Sequence, residues 1–298
     1  MFSASLRAFD AVVRAGSIRK ASEAMGVAPS SVSRHIAILE REVGTLLFER
    51  RAGGVELTHA GALMAEYTRS VLLEYDTLRT DLDDIRGIQR RLLKVALVES
   101  VASFGPIRAI ASFRERFDAV TFNLRLMPAP RVVDAVREGQ CDIGLAFCAA
   151  PDPDILVLAS VSEPIVLAVR ADHPLAAAPQ VTLGEIAGLP LALPDFDFGV
   201  RQILDRTAGA AGLRLTPVLS SNVFETLRDF VRCGAGAAVL PLRAVGHPHT
   251  SAELTAVPLA EAVFRDATID VIVLRKRRLP RVVKAFVETL AAEISAGG

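Results

Sequence analysis

Apolar positions in the first sixty residues recur with helical spacing. Leu6, Phe9 and Val13 mark one amphipathic stretch that Gly16 closes, and Ser17 is placed to cap a second, IRKASEAM, closed by Gly26. A third opens at Pro29, where proline loses only an N–H that has no helical partner anyway. In that helix Val32, Ile36 and Leu39 share one face, while Ser30, Ser33, Arg34 and Ala37 share the other. The run LFERRAGGVELT then predicts a hairpin, with Phe48 and Leu57 as apolar anchors on two short strands and Gly53-Gly54 in the turn. From Thr58 to about Arg90 the spacing becomes a four-three alternation through Met64, Thr68, Val71, Tyr75, Leu78, Leu82 and Ile85. Charges at Arg69, Glu74, Asp76, Arg79, Asp81, Asp83, Asp84 and Arg86 flank it, as a coiled-coil seam requires in water.

Past residue 92 the pattern alternates between strand and helix. LLKVALVES is followed by a helix opened by Pro106, then by AVTFNLRLM with Val120, Phe122, Leu124 and Leu126 in alternation, a further helix, and CDIGLAF. A second lobe is predicted from near Pro164, through IVLAVRADHPL, ALPDFDFGV, LSSNVFETL and GAGAAVLP. The strand TIDVIVLRK and a helix from about Leu279 to Ala292 return to the first lobe, so the chain crosses twice and the lobes can hinge. The predicted domains are residues 1–58, a linker helix at 59–91, and 92–298. Within the last, lobe I takes about 92–162 and 267–298, and lobe II about 163–266.

Two short helices, a turn, a third helix and a glycine hairpin in that order make an all-α winged helix-turn-helix, a double-stranded DNA reader. The hydroxyls of Ser30, Ser31 and Ser33 are short donors for phosphates or base edges, and Arg34 reaches a phosphate or pairs bidentately with guanine. Arg50 and Arg51 lead into the hairpin, where arginine lies along a phosphate backbone or in a minor groove. His35 is read as structural or phosphate-facing. A linker helix that pairs two copies predicts a homodimer and a pseudo-palindromic operator.

Bulk composition adds little to the DNA reading. The 298 residues carry zero net charge, and residues 1–60 hold eight basic against six acidic side chains, so placement matters more than the sum. With 51% hydrophobic residues the chain has enough apolar mass for a large core and two domains. No apolar run of eighteen appears, and charges interrupt the first helix, so a soluble, cytoplasmic protein without a membrane partner is expected. Cys141, Cys148 and Cys233 form no CxxC pair and are expected to be buried thiols rather than disulfides or metal ligands.

The chain resembles the LysR-type transcriptional regulators over essentially its whole length. Gly16-Ser17, Ala21, Ala24, Ser33-Arg34, Ile36, Leu39-Glu40, Gly44, Leu47-Phe48, Arg50, Leu57-Thr58 and Ala60-Gly61 all fall at that family's spacing. It departs at Ala28 and Pro29, where the family often has serine and glutamine; since proline cannot bond a base edge, readout rests on Ser30, Ser33 and Arg34. The resemblance implies a periplasmic-binding-protein-like, two-lobed α/β effector domain, assembly beyond the dimer to a homotetramer, and a small-molecule effector with no further cofactor.

In such α/β folds ligands bind beyond the carboxyl ends of strands, near helix N-termini. That rule selects Glu99, Ser100, Val101 and Ala102; Pro128, Ala129 and Pro130; Phe147; Asp195, Phe196, Asp197 and Phe198; and Asn222 with Val223. The ones expected to bind effector are Ser100, Val101, Ala102, Pro128, Ala129, Pro130, Phe147, Phe196, Phe198 and Asn222, with Ser100 foremost. Arg131 and Arg201 favour an organic acid, whereas Glu99, Asp195 and Asp197 leave room for an amine or amino acid. A redox sensor using Cys141 and Cys148 is the weaker reading, because both thiols sit at apolar strands. An enzyme is not expected: His173, His247 and His249 fall near prolines or loops, and no HExxH, GxSxG or P-loop pattern occurs. The basic run from Arg275 to Lys284 is read as the solvated start of the last helix.

Overall fold

The computed structural model describes residues 2–51, 54–85, 91–102, 105–246 and 253–296; Gly53, His247 and His249 lie outside them, as do the side chains of Arg50, Asp83, Asp84 and Ile85. The chain divides into two compact units, residues 1–88 with 277–280, and residues 89–276 with 281–298.

The first unit contains α1 (Phe2–Ala15), α2 (Ile18–Met25), α3 (Pro29–Val43), β1 (Phe48–Arg51), β2 (Gly54–Leu57) and α4 (His59–Ile85). Its core gathers Leu6, Phe9 and Val12 of α1, Ala21 of α2, Val32, Ile36 and Leu39 of α3, and Leu47. Val12, not Val13, joins Ala8 and Phe9 as fully buried in α1, so its inner face is displaced by one position; Val13 packs at the edge. Gly26 and Gly44 end α2 and α3 in the left-handed region, at φ 65° and 75°. Ser17 occupies the N-cap of α2, yet its hydroxyl makes no capping bond.

The hairpin is held against the helices by backbone contacts. Leu47 N–H donates to Glu40 Oε1 at 2.8 Å, and Val55 N–H donates to Gly16 O at 3.1 Å. A Cβ on Gly54 would lie 2.4 Å from that same Gly16 oxygen, so only glycine permits this approach. The α4 residues Met64 and Val71 pack on the core and Thr68 is buried, which removes the first half of the expected seam from intermolecular pairing. Among the described residues of α4, the large apolar side chains left exposed are Leu63, Tyr67, Tyr75, Leu78 and Leu82.

The second unit runs β3 (Arg91–Leu97), α5 (Gly105–Arg116), β4 (Val120–Leu126), α6 (Ala129–Arg137), β5 (Ile143–Phe147) and β6 (Ile155–Ser162) before crossing to β7 (Ile165–Arg170). It continues through α7 (Leu183–Ile186), β8 (Leu191–Pro194), α8 (Gly199–Ala210), β9 (Pro217–Ser221), α9 (Phe224–Arg232), β10 (Ala237–Pro241), α10 (Leu242–Val245), β11 (Leu254–Pro258) and α11 (Ala262–Arg265), then returns as β12 (Thr268–Leu274) and α12 (Arg281–Ala296). Two five-stranded sheets result, ordered β4-β3-β5-β12-β6 and β11-β7-β10-β8-β9. In each, two strand pairings are parallel and two antiparallel, so four strands run one way and one the other; the strands ending at Leu97 and Leu126 in one sheet, and at Pro194 and Ser221 in the other, feed helix starts, whereas β5 ends at Phe147 in the loop before β6. The central strands β5 and β10 are buried along their full length, which is why they read as unbroken apolar runs.

The two crossings lie side by side, with Glu163 N–H donating to Ala267 O at 2.8 Å. The Glu163 side chain is completely buried between them and forms an ion pair with Arg243 of α10. Arg243 N–H also donates to Glu163 Oε1 at 3.0 Å, and its guanidinium donates to Ser162 O at 2.9 Å and to Ile294 O of α12 at 3.0 Å. Burial pushes the Glu163 carboxyl above its ordinary value, against the opposing pull of Arg243.

Because the folded value is the raised one, stability tied to Glu163 is present below the ordinary carboxylate range and is lost as pH rises through the raised value. Glu163→Gln is expected to abolish that part of the slope of urea midpoint against pH. Arg243→Ala, which leaves a buried carboxyl unpaired, should cost about 3–5 kcal/mol; an unchanged pH slope in the first variant would remove Glu163 from the account.

Candidate functional site

The helix α3 divides by burial as its sequence spacing requires. Val32, Ile36 and Leu39 are buried, whereas Ser30, Ser33, Arg34 and Ala37 face solvent and Ser31 is half-buried. Arg34 has no ion-pair partner among the described residues, so its guanidinium is available to an external acceptor. His35 turns inward, with Nδ1 3.4 Å from the Ser5 hydroxyl, and is structural. In the hairpin Arg51 pairs with Glu49 at 3.3 Å and with Glu56 at 3.2 Å, the two glutamates being opposite each other in the strand register. Exposed pairs of this kind are worth about 0–1 kcal/mol, so they restrain Arg51 only weakly.

The two sheets of the second unit enclose a cavity of about 380 Å³. Three helix N-termini open onto it. They bring Pro128 and Ala129 of α6, Phe198, Gly199 and Val200 of α8, and Val223 and Phe224 of α9 to its wall. The remaining wall comes from Val98, Glu99 and Ser100 after β3, Leu126 and Met127 after β4, Phe147 at the end of β5, and Asp197 with Asn222. Phe198 and Phe224 meet edge to face, with centroids 5.2 Å apart.

Two contacts join the lobes at this cavity. Phe224 N–H, at the start of α9, donates to Glu99 Oε1 at 3.0 Å, so a carboxylate from the first lobe meets the positive end of a helix in the second. Burial nevertheless pushes the Glu99 carboxyl above its ordinary value, offset in part by that hydrogen bond and by the field of Arg228. The second contact is steric: a Cβ on Gly199 would stand 2.9 Å from Phe147 Cδ1 and 3.5 Å from Phe147 O.

Of the effector candidates read from sequence, Ser100, Pro128, Ala129, Phe147, Phe198 and Asn222 line the cavity. Val101, Ala102 and Pro130 do not. Val101 is buried in the short 3-10 turn at Glu99–Val101, Ala102 follows it, and the first turn of α6 carries Pro130 outward. Phe196 is also absent from the wall: 71% exposed, it stacks over the Arg201 guanidinium, 4.1 Å from Cζ to the ring centroid. Arg201 itself is buried, bonded through Nε to Asp205 at 2.8 Å and through Nη1 to Pro194 O at 3.1 Å, while Arg131 is exposed; neither lines the cavity. The wall residues Val98, Leu126, Met127, Gly199, Val200 and Phe224 escaped the sequence reading, although each lies within two residues of a position that it picked.

Residues 3–62 match the family described as bacterial regulatory helix-turn-helix protein, lysR family, and residues 86–295 match the LysR substrate binding domain. The chain belongs to the LysR family of transcriptional regulators. Among curated LysR-type relatives, the transcriptional regulator CbbR of Rhizobium meliloti is 30% identical over 79% of this chain and 75% of its own. The RuBisCO operon transcriptional regulator of Allochromatium vinosum is 27% identical over 80% and 79%. A full-length OxyR variant from Pseudomonas aeruginosa superposes with a TM-score of 0.73 at 22% identity, covering 99% of this chain and 97% of that one, which shows the shared fold. This LysR-type chain is therefore a DNA-binding transcriptional regulator with an effector-binding domain, and not an enzyme.

Among the described residues no helix is long and apolar enough to cross a membrane. The thiols of this LysR-type regulator are unlike one another. Cys141 is buried and Cys148 half-buried, and burial pushes both thiols up, away from the reactive thiolate. Cys233, expected to be buried, is exposed at the C-terminal cap of α9.

The Gly199–Phe147 contact makes a steric prediction. Gly199→Ala is expected to push the lobes apart at this point, seen as faster amide exchange at Gly199–Val200 and Phe147–Cys148. Gly209→Ala on the same helix, where nothing lies within 4 Å of the new Cβ, should instead stabilise by about 0.5–1 kcal/mol. Equal exchange in both variants would dismiss the contact.

Proposed function

We propose that the chain binds operator DNA as a two-fold dimer through Ser30, Ser31, Ser33 and Arg34 of α3, with Arg50 and Arg51 of the hairpin on the phosphate backbone. The observation that carries this reading is the burial split of α3: its apolar side is consumed by the core, and its exposed side holds three short donors' worth of serine and arginine chemistry within one turn. Residues 1–58 act as the reading head, 59–91 as the pairing helix and 92–298 as the sensor. A small organic molecule in the 380 Å³ cavity, touching Ser100, Pro128, Ala129, Phe147, Phe198 and Asn222, shifts the lobes toward the arrangement it binds more tightly. Both an organic acid and an amino acid fit that volume.

The pairing surface follows from α4. Leu63, Tyr67, Leu78 and Leu82 lie within roughly 100° of one another around the helix, and all four are exposed. Apolar side chains in such a row are characteristic of a helix that meets a second copy. The homotetramer implied by the family resemblance would need a further surface in the sensor.

The reading is tested by mobility shift and footprinting on the chain's own upstream intergenic DNA. A two-fold footprint is expected, and Arg34→Ala should weaken operator binding by about 1–3 kcal/mol with relaxed preference at one base pair. Unchanged affinity would take Arg34 out of the interface. Leu78→Glu with Leu82→Glu is expected to convert the dimer to monomer in sedimentation equilibrium; a persistent dimer would place pairing elsewhere.

A further inference from the structure

The cavity is poor in exactly the groups that hold strong anions, and the deficiency comes from particular residues. Among the described residues its ionisable wall side chains are the carboxylates Glu99 and Asp197, with no lysine, arginine or histidine. The two nearby arginines are turned to protein acceptors. Arg201 is held by Asp205 and Pro194 O, and Arg228 donates to Glu225 and, at 3.0 Å, to Ala244 O. Arg228 offsets part of the Glu99 charge through space but is not part of the wall.

The three helix ends are likewise unequal. At α6, proline stands at the N-cap, Pro128, and again at Pro130, which removes two N–H donors from the turn facing the cavity. At α9 the first N–H is already taken by Glu99. Ala129 of α6 and Gly199 with Val200 of α8 bring first-turn N–H groups to the wall, which as first-turn donors have no helical acceptor, and α8 is the helix that offers two in succession. The wall thus offers the Glu99 carboxylate from the first lobe and Asp197 at the rim of the second, two successive N–H donors from α8 with one from α6, the neutral polar side chains of Ser100 and Asn222, and apolar surface from Val98, Leu126, Met127, Phe147, Phe198 and Phe224 between them.

We infer that this cavity selects a compact ligand bearing a protonated amine, an apolar amino acid or a related amine, and that Glu99 is the residue that sets the preference. The inference rests on the cavity being the effector site. The amine pairs with Glu99 without breaking the Phe224 hydrogen bond, because a carboxylate accepts on both oxygens. A single ligand carboxylate is met by the Gly199 and Val200 amides, and the side chain fills the apolar wall. A phosphate ester or dicarboxylate brings a second negative charge beside Glu99 with no cation in the wall to receive it, and is rejected.

The test uses the full-length protein and a panel of apolar amino acids, L-leucine and L-phenylalanine among them, each with its amide and its des-amino acid, together with succinate and 3-phosphoglycerate. Thermal shift and titration calorimetry are expected to show binding by amine-bearing members and none by succinate or 3-phosphoglycerate. Glu99→Gln, which retains an acceptor for Phe224 N–H, should weaken amine binding about tenfold or more and bring amino acid and des-amino acid to parity. Asp197→Asn, at the exposed rim, should change the preference less; circular dichroism confirms that each variant is folded. Tight binding of succinate or 3-phosphoglycerate, or an amine preference that survives Glu99→Gln, overturns the inference while leaving the cavity as the effector site. Absence of binding by every panel member to both wild type and Glu99→Gln overturns the assignment of the cavity itself.

Discussion

The regulatory half of this chain depends on a buried charge that has nowhere else to go. Glu163 lies in one of the two segments joining the lobes, with no exposure to solvent, and among the described residues its carboxyl is bonded through Arg243 alone. The same guanidinium reaches Ser162 O and Ile294 O, so one side chain ties α10 of the second lobe to a crossing and to the last helix of the first. A hinge built this way is directional: the segments flex about the pair, but pulling the pair apart would strand a desolvated charge. Lobe motion is thus confined to arrangements that keep Arg243 seated.

From that anchor the connection to the cavity is short. Arg228 of α9 donates to Ala244 O of α10, and α9 begins at the N–H that Glu99 occupies. The cavity wall is therefore linked to the hinge through α9 and α10, and on the proposed reading a ligand that repositions Glu99 acts on the helix that also contacts the hinge element. The proposed specificity and motion thus fall to the same few residues, beside a densely packed core in the second lobe.

Much of this was legible in the chain itself. The split of α3 into Val32, Ile36, Leu39 and Ser30, Ser33, Arg34 is a local property of spacing, and the structure preserves it. The cavity wall was legible as a rule about strand ends, which found Ser100, Pro128 and Phe147. What the rule missed has a geometric cause. Residues one position apart in a first helical turn point about 100° apart, so Pro128 and Ala129 face inward while Pro130 does not, and Phe198 enters where Phe196 leaves. The seam of α4 failed in its first half for another reason, since spacing reports that Met64, Thr68 and Val71 are buried and is silent on whether the burying surface belongs to the same chain. Glu163 and Arg243 are eighty residues apart, with no local pattern to announce them.

The self-paired hairpin arginine has a consequence for how the protein moves on DNA. Protein–DNA attraction without regard to sequence comes from mobile counterions released when free cations meet phosphates. Arg51 already carries Glu49 and Glu56 as tethered counterions, and the whole chain has no net charge, so transfer of Arg51 to a phosphate exchanges one partner for another and liberates little from solution. On the proposed interface, this arginine therefore adds little to the salt-dependent attraction that any DNA sequence would exert, and its contribution is a matter of position along the backbone more than of charge.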